Sequence, residues 1–208
     1  MSARNSLTGG ETLHPQTSLD GLALSVHRRA EGAFERLVGH FEKPLFNYVL
    51  RLVPSQPDAQ EVVQDTFLRA HRALTRQYSS ERCDGLALRP WLFRIARNLS
   101  HNKRRGLRHR VECRLEAAHD QRPDAPHGAI AVLCRVEQRE ELERLDRAMA
   151  SLPLESRELV VLRFIEEMSY AEIAATTGQG EAALRGKVFR ALKQLRDALA
   201  RQEDRHAM

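Results

Sequence analysis

Residues 169–191, SYAEIAATTGQGEAALRGKVFRA, hold the pattern that decides how the C-terminal part of this chain folds. Ser169 and Glu172 are spaced as a capping box, which opens a helix. Residues 177–180 then supply a turn, because glycine tolerates the left-handed backbone conformation. A second helix follows, and its inward stripe is Leu184, Val188, Ala191 and Leu195. The stretch therefore predicts a short helix, a glycine turn and a longer helix.

The second helix of this motif is basic on its outer side. Arg185, Lys187 and Arg190 lie off the inward stripe, and in a helix-turn-helix the second helix enters the major groove of DNA. Base readout is expected mostly from Arg185, Lys187 and Glu181. Gly186 costs about 1 kcal/mol relative to alanine within a helix, and either admits a close approach to DNA or loosens the helix. The alternative is a plain helical hairpin.

A second basic stretch spans residues 89–110, which hold eight lysines and arginines and no acidic residue. Its apolar positions Leu92, Ile95 and Leu99 predict one buried helix face. The basic side chains then share another face, and such a ridge suits a phosphate backbone. A solvated basic surface is the alternative. Trp91 lies among the charges and could stack on an unpaired base, although we favour packing in the core for this residue.

The remaining pattern is helical and contains no alternating strand. Asp58 and Glu61 predict the start of a helix that ends near Leu74, and Pro44 marks a kink or a junction between two helical pieces. Residues 78–88 are typical of a loop. Further helices are predicted at Glu137–Ala150, Glu155–Glu166, Ser169–Thr176 and Gly180–Gln202. The fold class is all-α, with two small helical domains joined by a flexible linker.

The domain boundaries follow from shifts in composition. We predict a disordered tail at 1–21, a first domain at 22–108, a linker at 109–136 and a second domain at 137–204. Hydrophobic residues make up 42% of the 208 residues and charged residues 29%, with a net charge of +5. No secretory signal or membrane-spanning segment is expected. The three cysteines favour neither a disulfide framework nor a metal site, so we expect a reducing, cytoplasmic setting and no cofactor.

Three stretches together resemble one family. DAQEVVQDTFLRA at 58–70, RPWLFRIARNL at 89–99 and residues 151–195 are similar to the second and fourth regions of bacterial RNA polymerase sigma factors. The similarity is to the extracytoplasmic-function (ECF) type within the sigma-70 family. It covers about residues 30–106 and 140–200, and the order and separation of the motifs make it specific.

The resemblance implies binding roles for three sets of side chains. The face that would dock on the clamp coiled coil of the largest polymerase subunit carries Glu61, Gln64, Asp65 and Leu68. The set that would recognise and melt the minus-ten promoter element on the non-template strand is Arg89, Trp91, Arg94, Arg97, Asn98, His101, Arg104 and Arg105. The set that would contact the minus-thirty-five element as duplex is Glu181, Arg185, Lys187 and Arg190.

The resemblance also implies features outside these sets. The loop at 80–88 would hold a flipped base, and the linker would thread toward the RNA exit path. An anti-sigma factor is a usual partner in the family. Asn102 stands where the family usually carries aspartate, and residues 182–188 depart from its recognition helix, so the promoter preference does not follow from the sequence.

Two other functions compete with a sigma factor. A stand-alone helix-turn-helix regulator would use residues 30–106 for dimerisation or sensing, but a sensor has no need of the basic stretch at 89–110. An enzyme is disfavoured because the sequence shows no phosphate loop, metal-ligand cluster or nucleophile with its base.

Overall fold

The computed structural model describes Leu19, residues 21–115 and residues 136–206. Within these residues the chain forms helices, and no strand is present. The helices are α1 Leu22–His27, α2 Ala33–Leu50, α3 Gln56–Arg72, α4 Ser80–Asp84, α5 Leu88–Leu115, α6 Val136–Ser151, α7 Leu154–Val160, α8 Tyr170–Thr177 and α9 Glu181–His206. The predicted all-α fold class is confirmed. No helix in this part of the chain combines the length and apolarity needed to cross a bilayer.

Helices α1 to α5 form an N-terminal bundle in which α3 packs against both α2 and α5. Phe41, Leu45 and Tyr48 of α2 are buried in its centre, as their helical spacing predicts. Pro44 lies inside α2, and the helix continues through it to Leu50. Pro44 therefore does not join two separate helices.

The start predicted for α3 at Asp58 was wrong. Ser55 is the N-cap: its backbone is extended, and its hydroxyl oxygen accepts a hydrogen bond from the Asp58 amide at 3.3 Å. Pro57 is tolerated in the first turn because the first N–H groups of a helix have no partner within it. A serine shortly before such a proline is itself a signal for the start of a helix.

The predicted loop between Tyr78 and Leu88 contains a short helix, α4. Its N-cap is Ser79, whose hydroxyl oxygen accepts a hydrogen bond from the Arg82 amide at 3.4 Å. Cys83 on this helix is a free, buried thiol, and burial raises its pKa. Part of the expected loop thus belongs to the core of the N-terminal bundle.

Helices α6 to α9 form a C-terminal bundle around the predicted helix-turn-helix. The capping box is confirmed, since Ser169 Oγ accepts from the Glu172 amide and Glu172 Oε2 accepts from the Ser169 amide. Gly178 ends α8 with φ at 75°, a conformation that glycine adopts without strain. α9 packs inward through Leu184, Val188, Ala191 and Leu195, as predicted.

The segment between the bundles is helical at its N-terminal end. α5 continues to Leu115, past the expected start of the linker at residue 109. The sequence has no proline between Pro90 and Pro123, so no residue of that kind interrupts α5 at the expected boundary. The rest of the predicted linker, residues 116–135, lies outside the described residues, as does the tail up to residue 18.

The two bundles pack against each other. α8 lies on α5, and the buried apolar residues of both bundles form one continuous cluster. Hydrogen bonds cross the contact, including those from Thr176 Oγ1 to the Pro90 carbonyl oxygen at 3.4 Å and from Arg157 Nη1 to the Arg51 carbonyl oxygen at 3.2 Å. We call this contact of α7 and α8 with α2 and α5 the closed packing. It brings together residues that are far apart in the sequence.

Candidate polymerase and nucleic-acid interfaces

The polar face of α3 lies at the surface of the N-terminal bundle. Gln64 and Leu68 are exposed, and Asp65 is half-buried. Leu68 is 48% exposed, which is high for a leucine. Glu61 shares the face, but its carboxylate accepts a hydrogen bond from Lys103 Nζ at 2.6 Å. The face therefore offers a mixed polar and apolar contact surface on which one of the two carboxylates is already paired.

A groove of about 710 Å³ runs between α2 and α3 beside this face. Its lining is largely apolar and includes Phe34, Val38, Phe46, Val63, Phe67 and Leu68. Grooves of this kind accept the apolar side of a helix from another protein. The exposed Leu68 connects the groove to the predicted polymerase-binding face.

The eight predicted minus-ten residues occupy three environments on α5. Arg94, Asn98 and Arg105 are exposed, Arg89, Arg97, His101 and Arg104 are half-buried, and Trp91 is buried. The helix begins without an acidic residue in its first turn and places Pro90 there, where the missing N–H costs nothing. The apolar face of α5 fixes which charges point outward.

A cleft of about 750 Å³ lies along α5 and gathers five of the eight. The predicted residues that line it are Arg97, Asn98, His101, Arg104 and Arg105. Leu154 at the start of α7 closes one side of the cleft. Such a concentration of positive charge between low-dielectric walls attracts phosphate groups.

Trp91 is held by packing within the N-terminal bundle. Its indole is 6% exposed, and Nε1 donates a hydrogen bond to the Tyr78 hydroxyl at 3.1 Å. The two ring centroids are 5.7 Å apart, and the Arg82 guanidinium lies 3.9 Å above the Tyr78 ring. The structure places Trp91 in the core, as the sequence analysis favours, and not on the exposed side of α5.

Glu158 of α7 is the buried centre of the closed packing. Its side chain is 1% exposed, and Oε1 accepts hydrogen bonds from Tyr48 Oη at 2.7 Å and from Arg97 Nε at 2.8 Å. His101 Nε2 lies 3.5 Å from Oε2, close enough for attraction when the imidazole is protonated. Two predicted minus-ten residues, Arg97 and His101, therefore face a carboxylate of the other bundle.

A second contact of the same kind holds the start of α5. Arg89 donates to the Glu166 carbonyl oxygen, and its guanidinium lies 3.9 Å from the Glu166 carboxylate and 3.8 Å from that of Glu172. Glu166 is buried, whereas Glu172 also caps α8. The C-terminal bundle thus sets three carboxylates against the cations of α5.

The pKa values of two of these carboxylates shift in opposite directions. Burial acts to raise the pKa of Glu158, but the nearby His101, the charge of Arg97 and the hydrogen bond from the Tyr48 hydroxyl outweigh it, so the pKa lies below its usual value. Burial raises the pKa of Glu166, and Arg89 only partly opposes this. Glu158 is accordingly the carboxylate that is stabilised as an anion.

The outer face of α9 is more open. Arg185 and Arg190 are exposed, and the Arg185 guanidinium lies 3.8 Å from the Glu181 carboxylate and 4.7 Å from the centre of the Tyr170 ring. Lys187 is half-buried and donates to Glu155 Oε1 at 2.6 Å. The structure brings the four predicted minus-thirty-five residues onto one helix, although Lys187 is engaged within the bundle.

Comparisons with known proteins find matches for both the N-terminal and the C-terminal bundle. The sigma-70 region 2 family matches residues 37–110, and the sigma-70 region 4 family matches residues 142–195. The ECF RNA polymerase sigma factor SigE of Mycolicibacterium smegmatis is 30% identical over 214 residues, which cover 100% of this chain and 78% of that protein. The chain belongs to the ECF sigma factors of the sigma-70 family. The N-terminal bundle contains its region two, and the C-terminal bundle contains its region four.

Another relative and a solved structure extend the comparison. The ECF RNA polymerase sigma-E factor of Escherichia coli strain K12 is 32% identical over 170 residues, which cover 80% of this chain and 86% of that protein. The solved structure of CnrH in complex with the cytosolic domain of CnrY has a TM-score of 0.62 at 27% identity, and the match covers 86% of this chain and 95% of that one.

A further solved structure shares the fold at lower identity. The sigma factor RpoE in complex with the anti-sigma factor NepR from Bartonella quintana has a TM-score of 0.63 at 22% identity, and the match covers 81% of this chain and 98% of that one. Membership of the sigma factor family is confirmed, and the alternative of a stand-alone regulator is not favoured.

Sequence reasoning about this sigma factor missed two residues. Phe189 is 70% exposed and lies one turn beyond Arg185 on the same face of α9. Because Phe189 lies off the inward stripe of α9, the sequence pattern alone could have predicted that it is exposed. Glu158 was also missed, and no local signal marks it, because its partner Arg97 is 61 residues away in sequence. Gly186 is not required by packing, since an added Cβ would lie 3.6 Å from Arg190 Nη1, an ordinary contact.

Proposed function

We propose that this sigma factor binds core RNA polymerase, directs it to specific promoters and promotes melting of the DNA at the start site. The observation that carries the proposal is that a single chain combines two cationic helices, α5 and α9, with an apolar groove beside α3. A stand-alone duplex reader needs only α9 and a dimer contact. The chain itself carries out no catalysis, and it acts in the cytoplasm with the polymerase.

The polymerase contact is assigned to α3. Gln64 and Leu68 are exposed next to the groove, Asp65 flanks them, and Glu61 completes the face while paired with Lys103. A coiled coil such as the clamp of the largest polymerase subunit presents apolar and charged side chains at helical spacing, which complement such a surface. The affinity would reside mainly in Leu68 and the apolar groove, because exposed ion pairs contribute little.

The minus-ten contact is assigned to α5 and the cleft beside it. Exposed Arg94, Asn98 and Arg105 are available to phosphates, and Arg97, His101 and Arg104 line or flank the same cleft. Each phosphate that a cation neutralises releases counterions. The free energy of melting would come from binding the exposed non-template strand, without nucleotide hydrolysis. Trp91 would support the helix from within the core.

The minus-thirty-five contact is assigned to α9. A recognition helix places its first turns in the major groove, where Glu181 and Arg185 are exposed. Arg190 is suited to a phosphate, and Lys187 could join once it leaves Glu155. Duplex contacts of this kind position the complex on the promoter. The recognition of two sites by one chain is efficient because the second contact becomes intramolecular.

An anti-sigma factor is proposed as a further partner. The solved structure of RpoE contains such a complex, with the anti-sigma factor NepR, and the solved structure of CnrH contains the cytosolic domain of CnrY. The groove between α2 and α3 is open and apolar, so a helix of an inhibitor could compete there with the polymerase. An inhibitor that binds the sigma factor and core polymerase at the same time would contradict this arrangement.

The deciding experiment is run-off transcription with purified core polymerase on a promoter library, with and without this chain. We expect start sites that appear only when the chain is added. Leu68→Gln should lower the affinity for core polymerase and leave binding of duplex by the chain unchanged. Arg185→Ala should weaken binding of duplex and leave the affinity for core polymerase unchanged. Start sites that are independent of the chain, or a stable homodimer that binds a palindrome by itself, would refute the proposal.

A further inference from the structure

We propose that Tyr170 is a positioning residue for duplex recognition: its ring holds the Arg185 guanidinium in the orientation in which α9 meets the major groove. Tyr170 lies at the start of α8 and is not one of the four residues assigned to the minus-thirty-five contact. The inference rests on the proposed function, because it explains how one of those four, Arg185, is presented to DNA. It adds a residue that acts through the arginine and does not itself read a base.

The Arg185 guanidinium has two neighbours that fix its direction. Its central carbon lies over the Tyr170 ring, 4.7 Å from the ring centre, and a cation within about 6 Å of an aromatic ring centre is attracted to the ring face. Its Nη2 lies 3.8 Å from Glu181 Oε2, one turn earlier on the same helix. Both members of this ion pair are exposed, so water screens it and it contributes little. The ring on the neighbouring helix is the firmer support.

The Tyr170 ring is itself held in place. It is half-buried and packs against the hydrophobic core. Its backbone opens α8 directly after Ser169, where the capping box fixes the start of the helix. Arg163, in the turn after α7, lies 5.3 Å from the ring centre, and its Nη1 donates a hydrogen bond to the Met168 carbonyl oxygen at 3.0 Å. A ring anchored in this way is a fixed platform beside the recognition helix.

A positioned arginine binds DNA more tightly than a freely moving one. Immobilising a long, exposed side chain at an interface weakens binding by about two- to tenfold, and a side chain already held in its bound orientation avoids this loss. A guanidinium reads a base through two hydrogen bonds of fixed geometry, whereas a phosphate contact tolerates several orientations. Tyr170 should therefore raise the affinity for the correct sequence more than the affinity for unrelated duplex.

The first test is a double-mutant cycle on duplex binding by the full chain. Fluorescence anisotropy measures the affinity for a duplex that the wild-type chain selects from a random library, and for an unrelated duplex. Tyr170→Leu keeps an apolar side chain but removes the ring, so the selected duplex should bind about two- to tenfold more weakly and the unrelated duplex should change less. In the Arg185→Ala background the same substitution should have no effect. Equal losses in both backgrounds would show that Tyr170 merely stabilises its bundle, and the inference would fail.

Two further variants separate the ring from the hydroxyl and from exposed aromatic residues in general. Tyr170→Phe keeps the ring and should restore most of the binding that Tyr170→Leu loses. A Tyr170→Phe chain as weak as Tyr170→Leu would assign the role to the hydroxyl and contradict positioning by the ring. Phe164→Leu is the matched control, because Phe164 is 49% exposed on the same bundle and its ring faces Arg163. It should bind both duplexes as the wild type does, and circular dichroism checks the helix content of each variant.

A second measurement needs neither DNA nor polymerase. The NMR order parameter of the Arg185 Nε–H group reports its motion on the picosecond to nanosecond timescale. It should fall in Tyr170→Leu and keep its wild-type value in Phe164→Leu. An Arg185 group that stays equally rigid without the ring would overturn the inference, as would tighter binding of the selected duplex by Tyr170→Leu.

The proposed function fails on a different result. A chain that behaves as expected in both measurements but directs no start sites in run-off assays would refute the proposed function and leave the role of Tyr170 standing. Conversely, a chain that directs start sites while Tyr170→Leu leaves the Arg185 order parameter unchanged would refute only the positioning role.

Discussion

The basic helices α5 and α9 both present cationic side chains but differ in what surrounds those side chains. On α5, Arg89 and Arg97 face carboxylates of the other bundle, and Arg97 bonds to a buried one. On α9, Arg185 is 64% exposed and its nearest carboxylate, Glu181, lies on the same helix. The cations of the two helices therefore differ in their availability to DNA.

This difference suggests an order of events on a promoter. The exposed face of α9 is ready for duplex while the closed packing persists, whereas α5 must first lose its partners in the C-terminal bundle. Duplex recognition would then precede single-strand capture, and the energy of the first contact would help to open the second. The following predictions test the contrast between the two helices.

The largest effect is expected from Arg97→Ala. It leaves the buried Glu158 without its main cationic partner, and breaking a buried pair in this way costs about 3–5 kcal/mol. Arg185→Ala on α9 should change the free energy of unfolding by less than about 0.5 kcal/mol, because its ion pair is exposed. Urea unfolding followed by small-angle X-ray scattering, which detects separation of the bundles as well as their unfolding, measures both effects. Equal losses in the two variants would contradict the proposed difference between the helices.

The next effect concerns duplex binding by α9. Arg185→Ala should weaken binding of the upstream duplex element by about 1–3 kcal/mol, as for a lost base contact, and leave the affinity for isolated core polymerase unchanged. Gel shift with the holoenzyme and a polymerase binding assay measure the two affinities. Lys193→Ala, an exposed lysine farther along α9, is the control. A drop in core affinity would contradict the assignment.

A smaller effect is expected from Arg94→Ala on α5. Arg94 is exposed and does not line the cleft, so its loss should remove one phosphate contact and lower the salt slope of single-strand binding by about 0.7. Permanganate footprinting should show weaker promoter opening, while duplex binding in a gel shift stays the same. Equal loss in both assays would count against a single-strand role for α5.

The parts that the sequence predicted are those with local signals. The capping box at Ser169 and Glu172, the glycine turn and the inward stripe of α9 all depend on neighbours within a few residues, and the structure has them as expected. The start of α3 was misplaced because Ser55 lies between two prolines, which obscured its role as a cap. Signals within a few residues therefore predicted the helices correctly, but with errors at their ends.

No local sequence signal predicted the closed packing. Glu158 lies in an amphipathic helix, where a glutamate is normally placed on the solvent side. Its burial depends on Tyr48 and Arg97, which are 110 and 61 residues away in sequence. The sequence showed that α5 and α9 are basic, but only the tertiary contact shows which of these charges are already paired.

The last prediction concerns acid, and it compares the two buried carboxylates at the contact. The pKa of Glu158 lies below its usual value of 4.5 in the closed packing, so its contribution is complete above that pH and is lost as pH falls through the lowered pKa. Glu166 has a raised pKa, and its protonation on acidification favours closure. Between neutral pH and about pH 5 we therefore expect little change in the radius of gyration. Below that range the wild-type chain should open, whereas Glu158→Gln, which lacks the titrating carboxylate, should show no such transition. An opening with its midpoint above the usual carboxyl pKa of 4.5, or the same transition in Glu158→Gln, would show that the charge of Glu158 does not hold the two bundles together.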